Sequence, residues 1–186
     1  MPFIATEFPG LFVFEPVVHA DSRGYFFESY NEKTCTDAGV IADFVQDNQA
    51  RSVYGVIRGL HYQLEPYPQT KFIRALSGTI LDVVVDIRKG SPTYGRHFSI
   101  ELSADNKKQL FIPKGFAHGY SVLSETAEVF YKCEGFYNKE AEGGLNLADP
   151  SLGINWRIPV DKRIISEKDL GHPNVDRCLN NFIFQS

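Results

Sequence analysis

Proton transfer at neutral pH is the chemistry a histidine supports best, because its ordinary pKa, about 6.5, lies closest to neutrality. His61 stands in the apolar run GVIRGLHYQ, where strand pleating pairs its side chain with that of Gln63. A histidine in that setting is either a packed, hydrogen-bonded core residue or a base. Strict alternation puts Arg58 on the opposite face, so Arg58 and His61 share one pocket only if Gly59 bends or bulges the strand. Tyr131, in AEVFYKCEGFY, shares a pleat face with Val129 and Cys133. It is either a packed aromatic with its hydroxyl bonded to a neighbour or an inward-pointing functional residue.

The densest polar groups lie between Asp21 and Lys71, in DSRGYFFE, QDNQARS, GVIRGLHYQ and YPQTK. Taken singly, Arg23, Glu28, Gln46, Asn48, Arg58 and Lys71 fit solvated faces. Gathered in a cleft they would bind a diphosphate, since arginine offers a bidentate fork and lysine a compact charge. Ser166-Glu167-Lys168-Asp169 near the C-terminus reads as a capped turn.

The elements that must position these groups are short strands. The clearest runs from Thr79 to Arg88, with Thr79, Leu81, Val83, Val85 and Ile87 on one face and Ile80, Asp82, Val84, Asp86 and Arg88 on the other. Both faces are largely occupied, as in the wall of a sandwich or barrel. Further strands are expected over 11–16, 24–30, 53–63, 71–77, 97–102, 109–112 and 127–136, with short helices over 32–38 and 166–170. This pattern predicts a mainly β fold, an antiparallel jelly-roll barrel with a few short helices, built as one domain spanning residues 1–186. There is no GxGxxG or P-loop pattern. A formal net charge of -4 argues against nucleic-acid binding, and no apolar run reaches the roughly 20 residues of a membrane span. The start MPFIATEFPG has no basic-then-apolar leader, so a cytoplasmic location is expected. The three cysteines, Cys35, Cys133 and Cys178, are widely spaced and expected to be reduced thiols.

IPKGFAHGY carries the P-x-G-x-x-H spacing of a second cupin motif, whose turn delivers His118 toward a barrel interior. A metal-binding cupin also needs an H-x-H pair and a carboxylate, because a divalent ion requires several converging ligands. The corresponding place reads His61-Tyr62-Gln63. The reading is therefore a cupin-like barrel without its metal.

Taken together, DSRGYFFE, QDN, RGLHYQ, QTK, GTILDVVVDIR, SPTYG, IPKGFAHGY, YK and SEKD resemble the dTDP-4-dehydrorhamnose 3,5-epimerase family, in order and over nearly the whole chain. The resemblance implies a cupin-fold homodimer that uses no cofactor. It implies inversion of carbons 3 and 5 of dTDP-4-dehydro-6-deoxy-D-glucose, a step toward dTDP-L-rhamnose. It also implies His61 as proton acceptor, Asp169 as its partner carboxylate, Tyr131 as proton donor and Lys71 beside the keto oxygen. By the same matching Arg23, Glu28, Gln46, Asn48, Arg58, His118 and Lys168 contact substrate, Tyr137 stacks on thymine and Glu142 joins them. The segment with Arg23, Phe26 and Glu28 would reach the neighbouring subunit's site.

Departures fall in EGGLNLADPSLGINWRIP, where Leu147 and Ala148 replace an expected Trp-Asn and Arg157 replaces the proline after Trp156. They leave open an epimerase that inverts one carbon only. A metal-dependent cupin using His61 and His118, and a noncatalytic sugar-binding module, are the readings from other classes.

Overall fold

The computed structural model describes residues 2–185. In chain order the strands are β1 (Phe3–Ala5), β2 (Phe12–Phe14), β3 (His19–Asp21), β4 (Gly24–Phe26), β5 (Phe44–Val53), β6 (Ile57–Gln63), β7 (Lys71–Ser77), β8 (Thr79–Asp86), β9 (His97–Ser103), β10 (Gln109–Ile112), β11 (Phe116–Val122), β12 (Thr126–Glu134) and β13 (Glu142–Gly144). The helices α1 (Glu32–Asp37) and α2 (Glu167–Leu170) fall where the sequence places them. One sheet has the order β1-β2-β10-β7-β12-β5, a second β13-β6-β11-β8-β9, and β3 pairs with β4 as a separate hairpin. Every pairing between these strands is antiparallel, giving the expected mainly β, cupin-like jelly roll.

Strand β8 is packed on both faces, with Asp82 and Asp86 buried on the inner one. Ile80 and Val84 face the core between the sheets with Leu110, Ile112 and Val129. Leu81, Val83, Val85 and Ile87 face away and are covered by Leu145, Leu147, Leu152 and Trp156 from the C-terminal third. A third cluster, Phe14, Cys35, Val40, Phe72 and Phe111, lies beneath α1. Side chains of this size contribute about 1.5–3 kcal/mol each when buried, so the C-terminal segment is held by packing on the outer face of the sheet, against β8 together with Ile57, Leu60 and Tyr62 of β6. The three cysteines are free, Cys133 on β12 as anticipated.

Three expectations about elements need correction. QDNQARS was not expected to be a strand, yet it forms most of β5, whose alternate residues are exposed. Polar composition concealed it, because a sheet-edge strand with one wet face and one face on a polar cavity has little apolar periodicity to display. The strand expected over 53–63 is interrupted at Tyr54-Gly55-Val56. Gly55 has φ +87°, and a Cβ there would sit 2.2 Å from the Lys162 carbonyl oxygen, so the chain turns. The strand expected over 24–30 ends at Phe26, because it pairs only with the three residues of β3.

Candidate active site

A bulge in β6 brings the key groups together. His118 of β11 pairs with His61, and Tyr120 with Arg58, so two steps along β11 answer three along β6. The extra residue lets Arg58 and His61 line the same cavity. Gly59 has φ +112°, and a Cβ on it would lie 2.6 Å from both the Gly119 Cα and the His118 carbonyl oxygen. The facing glycines allow a backbone approach no side chain would permit. Gly59→Ala is accordingly expected to destabilise the fold by at least about 2 kcal/mol. Urea unfolding checks this, and an unchanged midpoint would mean the bulge tolerates a side chain.

The cavity, about 550 Å³, lies between the sheets and is lined by Arg58, His61, Lys71, His118, Tyr120, Tyr131, Lys168 and Asp169 among others. An adjoining one of about 360 Å³ shares His61, Lys71 and Tyr131 and adds Gln46, Asn48, Tyr137 and Glu142. Such volumes suit a small-molecule ligand. His61 comes from the five-stranded sheet and Tyr131 from the six-stranded one, so the two occupy opposing walls. Lys71 pairs with Cys133 on β12, two residues from Tyr131 and therefore on the same pleat face.

His61 Nε2 lies 2.7 Å from Asp169 Oδ1. Asp169 is held by α2, whose N-cap Ser166 accepts from the Asp169 amide, while Asp169 Oδ2 accepts from the Gly59 amide at 3.4 Å. With Nε2–H donated to the carboxylate, neutral His61 carries its lone pair on Nδ1. Burial draws the His61 pKa down, opposed by the hydrogen bond and charge of Asp169. Burial also draws Lys71 below the usual lysine range, against the pull of Cys133, Asp82 and Glu142. Tyr131 is pushed up to about 12 by burial first and then by Cys133 and Tyr120, so its hydroxyl stays protonated throughout the neutral range.

Around this core, Glu142 accepts from Lys168 at 2.6 Å and from the Tyr137 hydroxyl at 3.0 Å. Burial alone would raise the Glu142 pKa, but Lys168 and Tyr137 outweigh it and hold the carboxyl low. Gln46 donates to Asn48, which donates to Cys133 Sγ, and Arg58 donates to Ser52. His118 is buried against Asp82 at 2.9 Å. Arg23, Phe26 and Glu28 are not brought in: Arg23 pairs with Asp21, Glu28 accepts from Asn31, and Phe26 is exposed. Sequence reasoning missed Asp82, Ser52, Tyr120 and His172. Asp82 left a signal, since a carboxylate between Leu81 and Val83 must be buried and therefore needs a partner.

The divergent segment contributes to neither cavity over residues 145–157. Leu147 is buried behind the five-stranded sheet and its carbonyl accepts from the Trp156 indole at 2.8 Å, while Arg157 pairs with Glu101. Of the departures there, Leu147 alters packing behind the wall, and Ala148 and Arg157 lie on the surface.

The dTDP-4-dehydrorhamnose 3,5-epimerase family model matches residues 5–177. The chain is 51% identical over 178 residues to the enzyme of that name from Shigella flexneri, covering 95% of this chain and 97% of that one. Among solved structures it is similar to the Elizabethkingia anophelis epimerase, with TM-score 0.89, 47% identity and coverage of 92% and 94%. It is also similar to the Legionella pneumophila enzyme in complex with dTDP-4-keto-L-rhamnose, with TM-score 0.89, 42% identity and coverage of 94% and 93%.

Proposed function

The chain belongs to the dTDP-4-dehydrorhamnose 3,5-epimerase family, and from that premise we propose how its side chains carry the reaction. It epimerises dTDP-4-dehydro-6-deoxy-D-glucose at carbons 3 and 5 to dTDP-4-dehydro-L-rhamnose, for dTDP-L-rhamnose synthesis. Both carbons flank the 4-keto group, so one enolisation chemistry serves each in turn. His61 Nδ1 takes the proton from the carbon, Asp169 holds the imidazole and stabilises the imidazolium, and Lys71 stabilises the enolate oxygen. Tyr131 then delivers its hydroxyl proton to the other face of the same carbon and is reprotonated from solvent, while His61 releases the abstracted proton to solvent before the second carbon reacts. The observation that carries this reading is the placement of His61 and Tyr131 on opposing walls of one cavity. Inversion needs a base and an acid on opposite faces of the sugar.

Arg58 and Lys168 would hold the diphosphate, with Gln46, Asn48, His118 and Glu142 around the sugar and Tyr137 against the thymine. Holding the remote nucleotide keeps the reacting carbon in register. No cofactor is needed, since base, electrophile and acid are all side chains. We read residues 1–186 as one catalytic domain working in the cytoplasm, a location that suits three free thiols. The test uses protein exhaustively treated with chelator and incubated with dTDP-4-dehydro-6-deoxy-D-glucose. Proton NMR is expected to show inversion at both carbons. Inversion at one carbon, or activity that returns only with added metal, would contradict the reading.

The working unit in this reading is a homodimer. The hairpin of β3 and β4 carries Arg23 and Phe26 exposed and away from the chain's own cavity, and Arg23 would supply a further cation for diphosphate in the partner's site. Sedimentation at assay concentration is expected to give a dimer, and a fully active monomer would contradict that arrangement.

A further inference from the structure

We propose that His61, Asp169 and His172 form an inhibitory binding site for a divalent transition metal such as Zn²⁺, in which the ion silences the base without blocking the substrate cavity. The second part rests on the reading of His61 as the base. The donor atoms of the three residues lie within 4.8 Å of one another, and no other such group of three occurs among the described residues. Two imidazoles and a carboxylate are donors that zinc favours, with bonds of about 2.0–2.2 Å. Tetrahedral neighbours are then about 3.3 Å apart. Asp169 Oδ1 lies 2.7 Å from His61 Nε2 and 4.0 Å from His172 Nε2, distances that straddle this value.

His172 is built into place. Gly171 ends α2 by donating to the Glu167 and Lys168 carbonyls, and the next side chain turns back toward Asp169. Its ring rests over Gly144 of β13, where a Cβ would lie 2.4 Å from His172 Nε2, and Gly144 pairs directly with His61. The two imidazole centroids are 5.7 Å apart. His172 Nε2 is buried with no hydrogen-bond partner among the described residues, and the proton-transfer scheme makes no use of it.

In the metal-free protein His61 donates Nε2–H to Asp169 and presents the Nδ1 lone pair to the cavity. Coordination through Nε2 forms a metal–nitrogen bond there, and the ring's single proton passes through solvent to Nδ1. His61 then shows the sugar an N–H that cannot accept a proton. The ion competes with a proton and leaves the nucleotide contacts alone, so turnover falls while KM and dTDP affinity hold.

The experiment uses chelator-treated full-length protein, with Zn²⁺ binding followed by calorimetry, Co²⁺ as a visible spectroscopic probe, and dTDP binding and turnover measured at fixed free Zn²⁺. One ion per chain is expected, and at ten times its dissociation constant turnover should fall about eleven-fold with KM unchanged. His172→Phe and His172→Asn should keep metal-free turnover and weaken the ion by at least about ten-fold, the scale of losing even an outer-shell partner. Absence of one-to-one binding, or unchanged affinity in both variants once circular dichroism shows them folded, would overturn the site. Stoichiometric binding with undiminished turnover would overturn the silencing of His61 and with it the reading of His61 as base. In that case loss of the cobalt spectrum in His172→Phe would still establish the ligand set.

Discussion

Turnover by His61→Asn is expected to fall by about 10³-fold or more, with the fold and the affinity for dTDP retained. A positioned general base contributes on the order of 10²–10⁴ in rate, and no other group on that wall of the cavity is placed to replace it. Asp169 is engaged through Oδ1 with His61 and through Oδ2 with the Gly59 amide, and it is almost wholly buried. His118 lies beside His61 in the sheet, yet its Nε2 is committed to Asp82. Asparagine still offers Asp169 a donor, so the carboxylate is not left unpartnered and the loss reports chemistry more than folding. A stopped assay with denaturant-unfolding controls checks this. A variant within ten-fold of the parent would remove His61 from the base role.

Lys71→Met is expected to lower turnover by about 10²–10³-fold, the scale measured when one donor to a developing oxyanion is removed. The methionine keeps the apolar stem while removing the charge. Lys71 pairs with Cys133 at the start of β7, in the row beside Tyr131, and both cavities reach it. Burial holds its pKa below the ordinary value of about 10.4. The ammonium form is the active one, so activity is lost as pH rises through that depressed pKa. An alkaline limb below about 10.4 is therefore expected in the parent and absent from Lys71→Met. Tyr131, pushed up to about 12, adds no limb in that range. Pre-steady-state rates across the alkaline range check both parts. An unchanged limb in Lys71→Met would assign it to another group.

How far the sequence foretold this site depends on which physical signal each part left. The wall strand β8 was legible because alternation with both faces occupied admits few other structures, and the α2 turn because Ser166 caps it. The bulge at Gly59 was legible only as a condition, since Arg58 and His61 fall on opposite faces of a regular strand. Register with β11 is a tertiary property and it meets that condition. β5 was invisible because its pattern is set by a polar cavity and solvent, which leave no apolar period. Asp82 and His172 were missed because each lies beside a residue distant in sequence, His118 at 36 residues and His61 at 111. Concern over Leu147, Ala148 and Arg157 came from departures in a string of letters. In the fold they sit behind the sheet or on the surface, away from the sugar cavity.

The central claim is that one carbon is deprotonated from the His61 wall and reprotonated from the Tyr131 wall. The direct measurement is deuterium uptake from heavy water at carbons 3 and 5, read together with their configuration, in His61→Asn and Tyr131→Phe. His61→Asn should show neither uptake nor inversion, because no enolate forms. Tyr131→Phe should still take up deuterium while inversion falls steeply, because His61 can remove a proton, exchange it and return deuterium to the face it came from. Parent-like uptake in His61→Asn, or parent-like inversion in Tyr131→Phe, would contradict the two-wall mechanism.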